Sequence, residues 1–208
     1  KRQTYAVEKD RVQIRTTLSI LAVSVQRIMD IHALWTILPG GGLEGRLEVK
    51  KDREFPELPR FGLRLFLPKG MDQVTYYGLG PYENYIDKKR ASFHGLFTSC
   101  VKDLHEDYLK PQENGSRGDC DFVTVKGENI SLTAFSEEKF SFQASVYTQE
   151  ELTQKAHNFE LVPSDSTVLC LDYRQNGIGS ESCGPDMQKR YMFDEEEFSF
   201  ILRLVPAL

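Results

Sequence analysis

The sequence predicts an all-β fold, an antiparallel sandwich with one short helix, on three observations. Short segments repeatedly alternate apolar and polar residues at the two-residue period of a half-buried strand. Glycine and proline turn signals punctuate them at close intervals, and only one stretch changes to the opening signature of a helix. A chain of 208 residues, 40% hydrophobic and 27% charged, carries enough apolar material for one core, so residues 1–208 are expected to form a single domain.

From Thr4 to Lys51 the pattern is extended, with Val12, Ile14, Thr16 and Leu18 alternating against Arg11, Gln13, Arg15 and Thr17. Arg27 to Leu38 is a denser apolar run holding the only tryptophan, Trp35. It ends at Pro39-Gly40-Gly41-Gly42 and hands over to Leu43 to Lys50, which predicts a hairpin. Lys51 to Pro59 is charged and broken by proline, a connector. Phe61 to Leu67 then places Phe61, Leu63, Leu65 and Leu67 on one face, and Pro68-Lys69-Gly70 closes it before Val74 to Tyr77 resumes.

Asn129 to Ala134 and Lys139 to Tyr147 predict a strand pair turning at Ser136-Glu137-Glu138. The period then changes. Thr148-Gln149-Glu150-Glu151 fits a capping box, the Thr148 hydroxyl meeting the Glu151 amide and the Glu151 side chain returning to Thr148, with Leu152 and Ala156 on one face of the helix. Thr167 to Tyr173 returns to a strand, and Glu197 to Val205 closes the pattern with Phe198, Phe200, Leu202 and Leu204 on one face.

Three polar loops interrupt this scaffold: Gly78-Leu79-Gly80-Pro81-Tyr82-Glu83-Asn84-Tyr85-Ile86-Asp87, Lys110 to Asp119, and Gln175 to Pro185. Loops on a rigid sheet are where function concentrates. For Glu83, Asn84, Glu113, Asn114 and Arg117 the plainer role is to hold the loop backbone together, with Asn114 bonding near Gly115 and Arg117 pairing with Glu113 or Asp119. A hydrolytic pair of Glu83 with Glu113 or Glu181 would require a defined separation and unequal acidities, which sequence does not supply.

The bulk properties narrow the classes. A net charge of -5 with scattered basic residues offers no phosphate-binding stripe, so nucleic acid is not expected as a partner. The most apolar run, Leu18 to Val25, falls short of the roughly 20 residues of a membrane span, so no membrane partner is expected. The opening Lys1-Arg2-Gln3-Thr4-Tyr5 resembles neither an export signal nor a translation start, so a fragment of a longer chain is expected, which leaves the compartment open at this point; the cytoplasm is the expected location. Cys100, Cys120, Cys170 and Cys183 form no CxxC pair and are expected as free thiols. The histidines His32, His94, His105 and His157 lack ligand spacing, and no metal site is expected.

Five ordered motifs carry a resemblance. They are Leu58-Pro59-Arg60-Phe61-Gly62; the first loop through Tyr85 with Asp87; Pro111-Gln112-Glu113-Asn114-Gly115-Ser116-Arg117; Tyr147 to Leu152 with His157; and Gly177-Ile178-Gly179 with Ser182 and Pro185. Together they resemble the C-terminal domain, or small chain, of family 2 glycoside hydrolase β-galactosidases, from about Leu58 onward; residues 1–57 match in strand pattern only. The resemblance implies a β-supersandwich similar to galactose mutarotase, packed beside a catalytic barrel that carries both catalytic glutamates. This portion is then expected to hold no catalytic residue and to be inactive alone, since retaining hydrolysis needs two carboxyl groups about 5 Å apart.

The same resemblance implies loops facing a galactoside substrate, with Tyr82, Glu83, Asn84, Glu113, Asn114, Arg117, Asn176, Glu181, Ser182 and Cys183 as the candidates. It implies no cofactor here, Mg or Na for the full enzyme, the other domains of the same polypeptide as partners, and a homo-oligomer. One departure stands out: many family members carry a tryptophan that stacks on the sugar at the place of Cys183. A thiol has no aromatic face, so stacking is weaker or another aromatic, such as Tyr82, takes it over. A stand-alone carbohydrate-binding module and a mutarotase-like enzyme are the alternative readings. An exposed apolar face is expected where the rest of the polypeptide docks.

Overall fold

Strand pairing in the computed structural model, which describes residues 1–8, 10–23, 26–179 and 186–208, is antiparallel throughout. Its strands are β1 (Arg2–Val7), β2 (Val12–Leu21), β3 (Arg27–Ile37), β4 (Leu43–Lys51), β5 (Arg60–Pro68), β6 (Gln73–Gly80), β7 (Phe93–Cys100), β8 (Arg117–Lys126), β9 (Ser131–Ser145), β10 (Ser166–Gln175) and β11 (Glu197–Ala207). Among the described residues one α-helix, α1 (Gln149–Gln154), joins them. The main path runs β1-β2-β3-β4-β11-β9-β8-β6-β7, with β10 bridging β9 to β5.

The 15-residue β9 makes this a sandwich. Its first half pairs with β11, from Ser131↔Ala207 to Ser136↔Leu202, and its second half with β10, from Ser141↔Asp172 to Ser145↔Val168. The β5–β10 wing lies over the main sheet. Phe61 of β5 meets Phe198 of β11 edge-on at 5.0 Å, and Tyr173 of β10 stacks on the same ring at 4.8 Å. The alternation expected for the last strand holds: Phe198, Phe200, Leu202 and Leu204 are all buried. Each such side chain contributes on the order of 2 kcal/mol on leaving water.

The predicted hairpin forms as β3–β4, closing at Ile37↔Leu43. Other details differ. Gly78-Leu79-Gly80 is strand, not loop, pairing with β7 as far as Gly80↔Phe93. These glycines serve close approach: a Cβ on Gly78 would lie 2.5 Å from Cys120 Sγ, and one on Gly80 2.3 Å from the Tyr76 hydroxyl. The turn expected at Ser136-Glu137-Glu138 is absent, because β9 runs straight through it. Its neighbour β8 bulges there between Arg117 and Phe122, and the exposed Glu137 and Glu138 mark where β9 changes partners.

Helix α1 opens as predicted, the Glu151 amide donating to Thr148 Oγ1 at 3.1 Å. The reciprocal bond does not form, since Glu151 Oε1 accepts from the Val162 amide at 2.8 Å instead. The helix ends at Gln154, which leaves Ala156 beyond it. Cys100, Cys120 and Cys170 are free thiols, as expected; Cys183 lies outside the described residues. Among the described residues no helix is long and apolar enough to cross a membrane.

Candidate functional site

The first loop folds back on itself through its own polar side chains. Asn84 Nδ2 donates to the carbonyls of Leu79 (3.0 Å) and Tyr82 (3.1 Å), and its Oδ1 accepts from the Gly118 amide (2.8 Å). Glu83 accepts from Lys88 Nζ at 2.5 Å, from the Gly115 amide at 2.8 Å and from the Tyr108 hydroxyl. Burial pushes its pKa up, but Lys88, Tyr108 and the Gly115 amide outweigh that and hold the carboxyl below its ordinary range. Both side chains are buried, so they tie the first loop to the second.

In the second loop Asn114 has the same duty, accepting from the Glu106 amide at 3.1 Å and donating to the Gln112 carbonyl at 2.9 Å. Arg117 departs from expectation. It pairs with neither Glu113 nor Asp119 but donates to the carbonyls of Pro81 (3.2 Å) and Leu104 (3.4 Å). Its guanidinium is buried beneath both loops, where carbonyls reach it, while the exposed Asp119 lies beside Lys89.

Glu113 joins a different cluster. Arg60, at the start of β5, bonds both oxygens of Asp172 and reaches Glu113 Oε2 at 3.1 Å. Burial pushes the Asp172 and Glu113 carboxyls up while Arg60 draws both down, and the net direction is upward. Burial also opposes the Arg60 charge, but Asp172 and Glu113 more than compensate.

The third loop is fastened from the first. Residues 85–88 close a tight turn, Tyr85 and Lys88 exchanging backbone bonds at 3.0 Å. From it Asp87 accepts the amides of Ile178 (3.1 Å) and Gly179 (2.8 Å). Gly177 has no space for a side chain, since a Cβ would sit 2.5 Å from Asp87 Cγ. Asn176 Oδ1 accepts from the Phe193 amide. The remaining candidates in this loop, Glu181, Ser182 and Cys183, lie outside the described residues.

All three loops meet at a cleft of about 490 Å³, walled by Arg60, Tyr85, Gln112, Glu113 and Asn176 to Gly179. Of the predicted candidates, this cleft gathers Glu113 and Asn176. Tyr82, 62% exposed, borders a neighbouring hollow of about 630 Å³ with Glu83, Lys88 and Tyr108. Asn114 and Arg117 are packed beneath the loops.

Arg60, Tyr85, Asp87 and Asp172 complete the arrangement and were not among the predicted candidates. A legible signal existed for Asp172, a carboxylate inside the apolar run Leu169 to Tyr173, which must have a partner if buried. Among the described residues no group of three or more His, Cys, Asp or Glu side chains is placed to hold a metal ion.

A family described as beta galactosidase small chain matches residues 1–204, including the segment 1–57 whose likeness is weaker by motif. The beta-galactosidase of Actinobacillus pleuropneumoniae is 40% identical over 194 residues, covering 93% of this chain and 19% of that protein. That of Staphylococcus xylosus is 35% identical over 205 residues, covering 97% and 21%. The chain therefore spans about a fifth of the length of these relatives. Among solved structures, a galactose 1-epimerase from Lactobacillus acidophilus NCFM superposes with a TM-score of 0.59 at 10% identity, over 99% of this chain and 65% of that one. That likeness carries the fold alone, the galactose mutarotase-like supersandwich that the resemblance implied.

Proposed function

Because this chain belongs to the beta galactosidase small chain family, we propose that it serves as one part of a longer β-galactosidase that hydrolyses terminal β-galactosides. The observation that carries the reading is the match of nearly the whole chain to about a fifth of each relative. In this role the chain packs against a catalytic barrel of the same polypeptide, which holds the two glutamates, and the three-loop cleft turns toward the sugar. Mg or Na and a homo-oligomeric state belong to the whole enzyme.

The polar groups here support a scaffolding role for the loops. Glu83 and Glu113 are each held by their own cation, Lys88 and Arg60, a pattern suited to fixing loops and unlike a free acid beside a free nucleophile. The test compares the full-length polypeptide, the same polypeptide without this portion, and the 208-residue chain, each with a chromogenic β-galactoside. Turnover by the first alone is expected. Hydrolysis by the 208-residue chain, abolished by replacing Glu83 or Glu113, would overturn the reading.

A further inference from the structure

Three strand edges are open among the described residues: β1 and β7 at the two ends of the main path, and β5 beside β10. An open edge presents a row of unpaired backbone N–H and C=O groups, and proteins guard such rows with charge, proline or a bulge. β1 carries Arg2, and β5 carries Arg60 and Arg64 and closes on Pro68. β7 holds no Lys, Arg, Asp, Glu or Pro from Phe93 to Cys100. Its pairing with β6 runs from Gln73↔Cys100 to Gly80↔Phe93 without a bulge. Among the described residues its backbone bonds nothing else, apart from its own Ser99 hydroxyl, which donates to the Cys100 carbonyl at 3.1 Å. The side chains are bare as well, Phe93 being 62% exposed and Leu96 64%. A flat, uncharged edge with apolar side chains in solvent is built to receive another strand.

The order of residues along β7 selects a second copy of the same strand. Two antiparallel copies related by a two-fold axis normal to the sheet pair each residue with the one equally far beyond the axis, so the residue on the axis meets itself. With Leu96 there, Leu96 packs on Leu96, His94 faces Thr98, Gly95 faces Phe97 and Phe93 faces Ser99. Apolar meets apolar, small meets large, and no charge lies opposite another. Alternation keeps His94, Leu96 and Thr98 on the outer face and Phe93, Gly95, Phe97 and Ser99 on the core side, so both faces match at once. An axis through Phe97 would instead set Gly95 against Ser99 and leave a gap. Tyr77, next to Leu96 in register and also exposed, widens the apolar strip on the outer face.

We propose that the open edge of β7 is a homodimer surface, where two copies pair antiparallel about Leu96 and carry the main sheet from one copy into the other. This goes beyond the β-galactosidase reading and does not rest on it. One strand pair lies at or below the low end of specific interfaces, about 1,200 Å², so the association depends on concentration.

The test is sedimentation of the 208-residue chain over a dilution series, for wild type and Leu96→Lys. Wild type should show a doubled mass that falls to the single chain on dilution. Leu96→Lys places two ammonium groups together on the axis and should abolish the doubling, while its melting temperature stays that of wild type because Leu96 is mostly exposed. The register has its own readout. Directly opposed residues have Cα atoms about 4.5–5.5 Å apart, within disulfide reach, so Leu96→Cys should link copy to copy on oxidation, identified by the mass of the linked peptide, and Thr98→Cys should not. A wild-type chain that stays single throughout the series, a dimer that survives Leu96→Lys, or equal linking by the two cysteine variants would overturn the proposal. The full-length polypeptide decides against the rival occupant: β7 amides protected from exchange there, in an assembly indifferent to Leu96→Lys, would assign the edge to another segment of the same polypeptide and sink the pairing of copies.

Discussion

Glu83 shows how a single side chain sets the geometry of this protein. Nearly buried, it binds an ammonium, a phenol and a backbone amide drawn from three separate stretches of chain. Hydrogen bonds to an ionised carboxylate contribute more than neutral ones, so Glu83→Gln should lower stability at neutral pH by about 2 kcal/mol. The pH dependence follows from the lowered folded-state pKa. A group whose folded pKa lies below its unfolded value of roughly 4.3 contributes fully above that value and loses its contribution as pH falls through the folded one. Urea midpoints of wild type and Glu83→Gln should therefore converge below about pH 4. A gap that stays constant from pH 7 to pH 3 would show that Glu83 is not held ionised by this network. Lys88, pushed up to about 12 by Glu83 and Tyr108 against its partial burial, keeps the pair charged through the neutral range.

At the scale of elements, the strands that the sequence made legible are those with one wet face. β2, β5 and β11 show the two-residue period, and β5 and β11 turn their apolar faces into the core while β2 is only partly covered. Elements that escaped follow other rules. β7 was missed because Phe93, Leu96 and Phe97 with Gly95 break the two-residue period. β9 was split because its polar middle reads as a turn, although long-range pairing with β8 on one side holds it extended. The cleft was half legible for a similar reason: the candidates from the loops included Glu113 and Asn176, while Arg60 and Tyr85 stood in motifs without a site role and Asp172 in none, and they reach the cleft only through pairing of β5 with β10 and closure of the first loop. That pairing depends on Gly62, where a Cβ would lie 2.3 Å from the Leu171 carbonyl oxygen and 2.7 Å from Asp172 Cα. Gly62→Ala must push β5 off β10 and should cost about 3 kcal/mol in denaturant unfolding. Gly70→Ala meets nothing within 4 Å and serves as the control, with a change near zero or slightly stabilising. Equal effects from the two would mean that β5 is not tightly seated.

Across the whole molecule one apolar face changes character from end to end. Strand register places Phe200, Leu47, Ala33, Thr16 and Gln3 in one row and Leu202, Gly45, Trp35, Ile14 and Tyr5 in the next. Along these rows burial fades: Leu202 is 1% exposed and Tyr5 79%. The β5–β10 wing covers the β11 end, and β1 is exposed at every position. Local stability should follow the same gradient, because opening β1 gives up little buried apolar contact whereas opening β9 disrupts pairing with β8, β10 and β11 together. In amide hydrogen exchange, β1 and the outer edge of β2 should exchange through local fraying, and β8, β9 and β10 only through global unfolding. The same measurement examines the assembly proposed above. If the remainder of the polypeptide packs on this uncovered face, the β1 and β2 amides should gain protection in the full-length protein that they lack in the 208-residue chain. Equal, fast exchange of β1 in both would place the packing surface elsewhere on the molecule.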